Sequence, residues 1–212
     1  MNKQILTILC ITLFHMSVTA QEVKTIVVEP VGVYAEIDVA GQNRMISQLY
    51  DLKTRNASID TIFNNFTRYI PPVMYLFSQA LFLNGEKQPA VEWYLYAQIQ
   101  AMYDAARCTD NSAKQAVLIL EERNRPVLNE YMNENKNLVT ETAGKVMLLF
   151  KKVQTEYDIR WINLHGMGSF SGAFGEELPK ETPKLTVDKS LWPDIADNIL
   201  KEFAARYSVN DK

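Results

Sequence analysis

The stretch with most scope for chemistry is Leu164-His165-Gly166-Met167-Gly168-Ser169-Phe170-Ser171-Gly172. A hydroxyl nucleophile served by an imidazole base would here be Ser169 or Ser171 with His165. Residues two to six apart rarely hold each other in that geometry. The His-Gly pair would also need a later Gly-x-Ser-x-Gly elbow to complete a hydrolase oxyanion hole, and the sequence has none. As a dinucleotide loop the glycines run G-x-G-x-x-x-G, one residue out of register, and a Pro-rich stretch follows where the phosphate-binding helix should start. A phosphate loop would end in Gly-Lys-Ser/Thr, which is missing. The segment therefore reads as a shaped contact loop, with Arg160, Trp161, His165, Met167, Ser169 and Phe170 as the candidate binding residues and no catalytic residue assigned. The acidic pairs Glu121-Glu122 and Glu176-Glu177 read as solvated surface, because adjacent acids on a helix point in different directions.

Scarcity bounds the chemistry further. The 212-residue chain has two cysteines, Cys10 and Cys108, and two histidines, His15 and His165. Lys3, the apolar run Ile5 to Phe14 and Ser17-Val18-Thr19-Ala20 together read as a secretory signal, cleaved before Gln21. The run is too short for the ~20 residues that span a bilayer. Cleavage at that point leaves 192 residues (212 less 20), carrying Cys108 and His165 alone. A Cys/His zinc site is then out of reach, an internal disulfide is excluded, and Cys108 reads as a buried filler at the end of an apolar helical stretch. No Asp-x-Asp-x-Asp-Gly calcium loop is present. The expectation is no metal and no cofactor. With one lysine and no acid lost, 21 basic residues face 25 acidic ones, a net charge of −4 that suits neither nucleic acid nor a basic membrane-surface anchor. No later stretch has ~18 uninterrupted apolar residues, so no transmembrane segment is expected in the remainder.

The elements that position these residues are mostly helical. Hydrophobic residues make up 47% of the chain, enough for a packed core. Residues 21–40 read as an extended arm or short β hairpin, from the β-branched run Val23 to Val28 and the rough alternation from Val33 to Val39. Residues 41–212 read as one helical domain, a helical bundle or helical-hairpin stack. Helical spacing appears over 42–53, then after Ser58 (an N-cap candidate), and from Pro71 to Leu83. Asn84-Gly85 closes that helix, and Pro89 opens the next, which reaches at least Arg107. Charges are nearly absent from Trp93 to Tyr103, the mark of a central buried helix. Trp93, Tyr94, Tyr96 and Tyr103 read as core packing, with the lining of a ligand pocket as the alternative. Further helices are expected over 112–123, 126–136 (opened by Pro126), 140–157, and from about Ser190. Ile159 to Leu164 reads as a short strand, and 164–188 as a long Gly/Pro-rich loop before the C-terminal helix.

One pair resembles a known family. Ala80-Leu81-Phe82-Leu83-Asn84-Gly85, followed by Pro89-Ala90-Val91-Glu92-Trp93-Tyr94-Leu95-Tyr96-Ala97, is similar to a tetratricopeptide-type helical hairpin through Leu81, Gly85, Ala90, Tyr94 and Ala97. It covers about residues 72–105, and no second copy follows at that period. The resemblance implies a scaffold for protein binding. The functional expectation is an exported helical protein, periplasmic or secreted, that binds another protein, for instance an immunity or inhibitor protein directed at a toxin or enzyme. The alternatives are a small-molecule or lipid carrier using the aromatic helix pair as its cavity, and a hydrolase centred on His165.

Overall fold

The computed structural model describes residues 29–173 and 182–209. The signal reading of 1–20 and the β-branched run Val23 to Val28 lie outside them, as do Gly175 and Pro179. Among the described residues eight α-helices run in chain order: α1 Ala40–Tyr50, α2 Arg55–Asn65, α3 Pro71–Leu83, α4 Lys87–Arg107, α5 Gln115–Glu134, α6 Lys136–Lys152, α7 Met167–Ala173 and α8 Trp192–Arg206. Among the described residues there is no strand, only an isolated bridge between Cys108 and Thr186.

The apolar helix α4 is the axis. Val91, Tyr94, Leu95, Ala97 and Ile99 have no exposure at all, and α3, α5, α6 and α8 all pack on it. With α3 it forms an antiparallel hairpin. The contacts Tyr75–Tyr94 (5.3 Å between rings), Phe77–Trp93 (5.5 Å) and Ser78 Oγ donating to the Ala90 carbonyl (2.7 Å) keep a nearly constant sum of residue numbers, as antiparallel neighbours must. Gly85 turns the chain between them at φ +89°, a left-handed conformation that glycine adopts at no steric cost. Trp93, Tyr94 and Tyr96 are core residues; Trp93 stacks edge-on to Phe63 and Tyr96.

Several sequence expectations need correction. The short N-terminal strand or hairpin is not formed in the described part of 21–40: Gly32–Glu36 is a 3-10 turn. The alternation of Val33 to Val39 reflects something else, because Tyr34 and Ile37 turn inward onto Leu185 and make a small second core. Ile159–His165, read as a strand, is also a 3-10 helix, capped by the Asp158 carboxylate accepting from the Arg160 amide. Ser58 lies inside α2 rather than at its cap; it is buried and its hydroxyl donates back to the Thr54 carbonyl (3.0 Å). The two helices expected on either side of Pro126 are one. Buried Asn124 holds α5 together there, donating to the Leu120 carbonyl and accepting from Gln79 Nε2 (both 2.7 Å), while Leu128 and Met132 anchor the next turns. Packing thus overrides the local proline cost of ~3 kcal/mol.

Within the span read as one long loop, Met167–Ala173 is helical and 182–188 is tied to the end of α4. There Val187 donates to the Arg107 carbonyl (2.9 Å) and the Thr109 hydroxyl donates to the Lys184 carbonyl.

Candidate binding cleft between α4, α6 and α8

The candidate site grows from three polar residues on one face of α4. Gln100, Asp104 and Arg107 follow the apolar stretch at i, i+4 and i+7, so all three meet the same neighbours. All three are buried, at 3%, 1% and 3% exposure, where a polar group needs partners. Asp104 finds three. Its Oδ1 accepts from Arg107 Nη2 (2.5 Å), and its Oδ2 accepts from the Trp161 indole N–H (2.7 Å) and the Tyr157 hydroxyl (2.9 Å). Burial pushes the Asp104 carboxyl up from 3.8 to about 6, with the Arg107 cation and the indole, hydroxyl and guanidinium donors pulling the other way. The Tyr157 hydroxyl is held well above its usual range by the same burial and by the Asp104 charge.

Arg107 is stacked between two rings, its guanidinium carbon 3.7 Å from the Tyr103 centroid and 4.5 Å from that of Trp192. Guanidinium faces suit aromatic rings and its edges suit hydrogen bonds. The edge is only partly used: Asp104 takes Nη2, and the buried Nε has no hydrogen-bond partner in the protein. Gln100 Oε1 is likewise buried and unpartnered. Native interiors rarely leave such groups unmet.

Both residues line a cleft of about 580 Å³ between the second half of α4, the end of α6 with the chain after it, and the start of α8. Its walls are mixed: Tyr103, Phe150, Ile159, Trp192 and Leu200 supply apolar surface, and Lys151, Gln154, Thr155 and Asp197 supply polar surface. Tyr103 and Phe150 meet edge-on at 5.2 Å and shape one side. A concave recess that offers apolar walls and fixed polar groups can hold a small molecule.

The residues singled out from the loop fall elsewhere. Arg160 is held by both oxygens of Asp158 (2.8 Å to Nη2) with Glu36 at 3.7 Å. Trp161 is fully buried and reaches the cleft only through Asp104. His165 is exposed, its ring edge-on to Trp161 at 5.7 Å. Met167 is 64% exposed, Ser169 is buried and Phe170 is half-buried. Among the described residues no hydrogen bond joins His165 to Ser169 or Ser171. The loop is instead organised by Asp110. Its carboxylate accepts from the Ser112 amide (2.8 Å) and hydroxyl (2.5 Å) and from the Gly168 amide (3.2 Å), and these bonds hold it below the usual carboxylate range against its partial burial. Ser112 in turn accepts from the Met167 amide (2.8 Å). Cys108 is buried and its thiol donates to Asn163 Oδ1 (3.0 Å), so it is a packed, bonded group in the support of this loop.

Among the described residues no group of three or more His, Cys, Asp and Glu gathers as a metal site, and no helix is long and apolar enough to cross a membrane. Of the cleft residues, the sequence marked Tyr103 as core packing or pocket lining but gave no role to Gln100 and Arg107. The signal was present: polar residues at helical spacing beside a strongly apolar run. Comparison with family models, with curated proteins and with solved structures found no match.

Proposed function

We propose that this chain is an exported binding protein, not an enzyme, and that it takes a small ligand in the cleft between α4, α6 and α8. The observation that carries this reading is Arg107: a buried guanidinium clamped between Tyr103 and Trp192, with Nε unpartnered, on the wall of a cleft that has both apolar and polar sides. The ligand it suits is a compact amphipathic molecule bearing an oxygen acceptor. The apolar part would replace water along Phe150 and Leu200, and the oxygen would meet the guanidinium edge. A titration tests it: benzoate, benzamide and hexanoate are added while the indole N–H signals are followed by NMR. The expected result is a saturable shift at Trp192 with at least one probe, and its loss in Ala196→Trp, which fills the cleft. Unchanged spectra with all three probes would count against the reading.

A second reading keeps the protein partner expected from the sequence, as an immunity or inhibitor protein. It is favoured by the exposure of Met167 (64%), Leu118 (60%) and Ile119 (46%) beside His165, whose ring is kept from protonation first by its burial against the protein and then by the Arg123 charge. The tetratricopeptide-like hairpin at 72–105 points the same way. If this face is the working surface, Met167→Asp abolishes capture of a stoichiometric partner from the secreted fraction, while Ala196→Trp does not.

A further inference from the structure

The wall of the cleft carries a charge arrangement with two possible states. Both faces of the Arg107 guanidinium are covered, by Tyr103 at 3.7 Å and Trp192 at 4.5 Å, so an anion can answer its charge only at the edge. Among the described residues Asp104 is its one ion-pair partner, Oδ1 to Nη2 at 2.5 Å. Arg107 also lines the cleft, together with one further cation, Lys151, and one acid, Asp197. With Asp104 ionised, these four charges cancel. With Asp104 neutral, one positive charge on the cleft wall is left unanswered, and a buried charge needs a counter-charge.

Asp104 is built to exist in either state. Its Oδ2 accepts from the Trp161 indole (2.7 Å) and the Tyr157 hydroxyl (2.9 Å). The indole can only donate, but a phenol can turn and accept, so a proton on Oδ2 keeps a bond to Tyr157. Burial at 1% exposure penalises the charge and carries the carboxyl up to about 6. The other titratable groups around it are Tyr96 and Tyr103 on its own helix and Tyr157 after α6, all three held above the usual phenol range by burial. From the 3-10 helix His165 stands behind Trp161, ring to ring at 5.7 Å, and burial lowers it. Lys151 of α6 and Asp197 of α8 face Arg107 across the cleft, and Lys189 lies 5.6 Å over the Trp192 ring. A ligand carboxylate at the guanidinium edge would share one buried cation with Asp104, and two like charges so placed disfavour each other.

We propose that Asp104 sets the charge of the ligand this cleft accepts: protonated, it frees the Arg107 edge for a carboxylate, and ionised, it admits only a neutral oxygen acceptor. This rests on the ligand-binding reading of the same cleft. The proton comes from solvent and stays on Asp104 while the carboxylate is bound. The test is isothermal titration calorimetry of the protein with benzoate and with benzamide at pH 5.5, 7 and 8, each in two buffers of different ionisation enthalpy. Benzoate should bind at least about tenfold tighter at pH 5.5 than at pH 8. The ceiling is the roughly hundredfold cost of protonating, at pH 8, a group that titrates near 6. Benzoate binding at pH 7 should take up close to one proton, and benzamide binding none at any pH. Asp104→Asn fixes the neutral state, so it should bind benzoate at pH 8 as the wild type does at pH 5.5. The carboxyl carbon resonance of Asp104 in the unaltered protein reads the same step without a substitution: its titration midpoint should rise with benzoate and stay put with benzamide. Benzoate affinity that is equal at pH 5.5 and 8, or a midpoint unmoved by bound benzoate, overturns the proposal and leaves the cleft reading standing. A pH dependence that survives in Asp104→Asn assigns the effect to His165 and overturns it too. Binding of neither probe at any pH overturns both.

Discussion

Replacing Arg107 with Met separates the roles of this residue. Methionine keeps an unbranched side chain between the Tyr103 and Trp192 rings but removes the cation facing Asp104. The carboxylate then stays buried at 1% exposure with two neutral donors, Tyr157 and Trp161, and no counter-charge. Stranding one member of a buried ion pair costs about 3–5 kcal/mol, a large part of a total stability of ~5–15 kcal/mol. At about 2–4 °C per kcal/mol for a domain of this size, the melting temperature should fall by roughly 6–20 °C at pH 8. The pH dependence carries a sign. The Asp104 carboxyl is raised from 3.8 to about 6, so between those values the folded protein binds more protons than the unfolded chain. Its contribution is fully present below about pH 4 and is lost as pH rises through 6. Without the Arg107 cation the carboxyl rises further, so the deficit of the variant is smallest below about pH 5 and widens above pH 6. Urea titrations monitored by circular dichroism at pH 5 and pH 8 measure both quantities. Adding Asp104→Asn to the variant removes the stranded charge and should recover most of the loss at pH 8. A deficit under ~1 kcal/mol, the same at both pH values and unaffected by Asp104→Asn, refutes this reasoning.

Other outcomes follow from single contacts. A methyl group at Gly166 would overlap the Asp110 carboxylate that organises the loop, so Gly166→Ala should cost about 1–3 kcal/mol in urea unfolding. Gly41, in α1 with open space around it, should gain up to about 1 kcal/mol as Ala, and a loss there would contradict the packing described. Ser208 ends α8 at φ 53°, a left-handed position that suits glycine, so Ser208→Gly should raise the melting temperature measurably. The Cys108 thiol, buried and bonded to Asn163, should react with Ellman's reagent only on unfolding; fast labelling of the folded protein would show the loop support is open.

The helical architecture was legible because it rests on periodic patterns and proline or glycine punctuation. The charge-free run in α4 marked the central helix, and Pro71 and Asn84-Gly85 marked the ends of α3. What failed were short segments decided by tertiary contacts. Val33 to Val39 alternates like a strand, yet Tyr34 and Ile37 are drawn inward by Leu185, some 150 residues away in the chain. Pro126 marks a helix start by local rules, but Asn124 and Leu128 bind α5 to the core on both sides of it. The candidate site was half legible. The loop around His165 drew attention through its glycines, which turn out to admit the Asp110 carboxylate and the Tyr34 hydroxyl closely rather than to hold a ligand. Arg107 and Gln100 were hidden because a polar residue at the end of an apolar helix reads as its solvated edge. Only the placement of α8, bringing Trp192 over Arg107, turns that edge into a wall.

The most direct test of the ligand-binding account is native mass spectrometry of the protein and its Ala196→Trp variant, each purified without denaturation and then given a fivefold series of increasing benzoate, benzamide or hexanoate. The account predicts a one-to-one adduct in the wild type that is absent in the variant, with the folded charge-state distribution the same in both. Bare protein in both, or the same adduct in both, would contradict it.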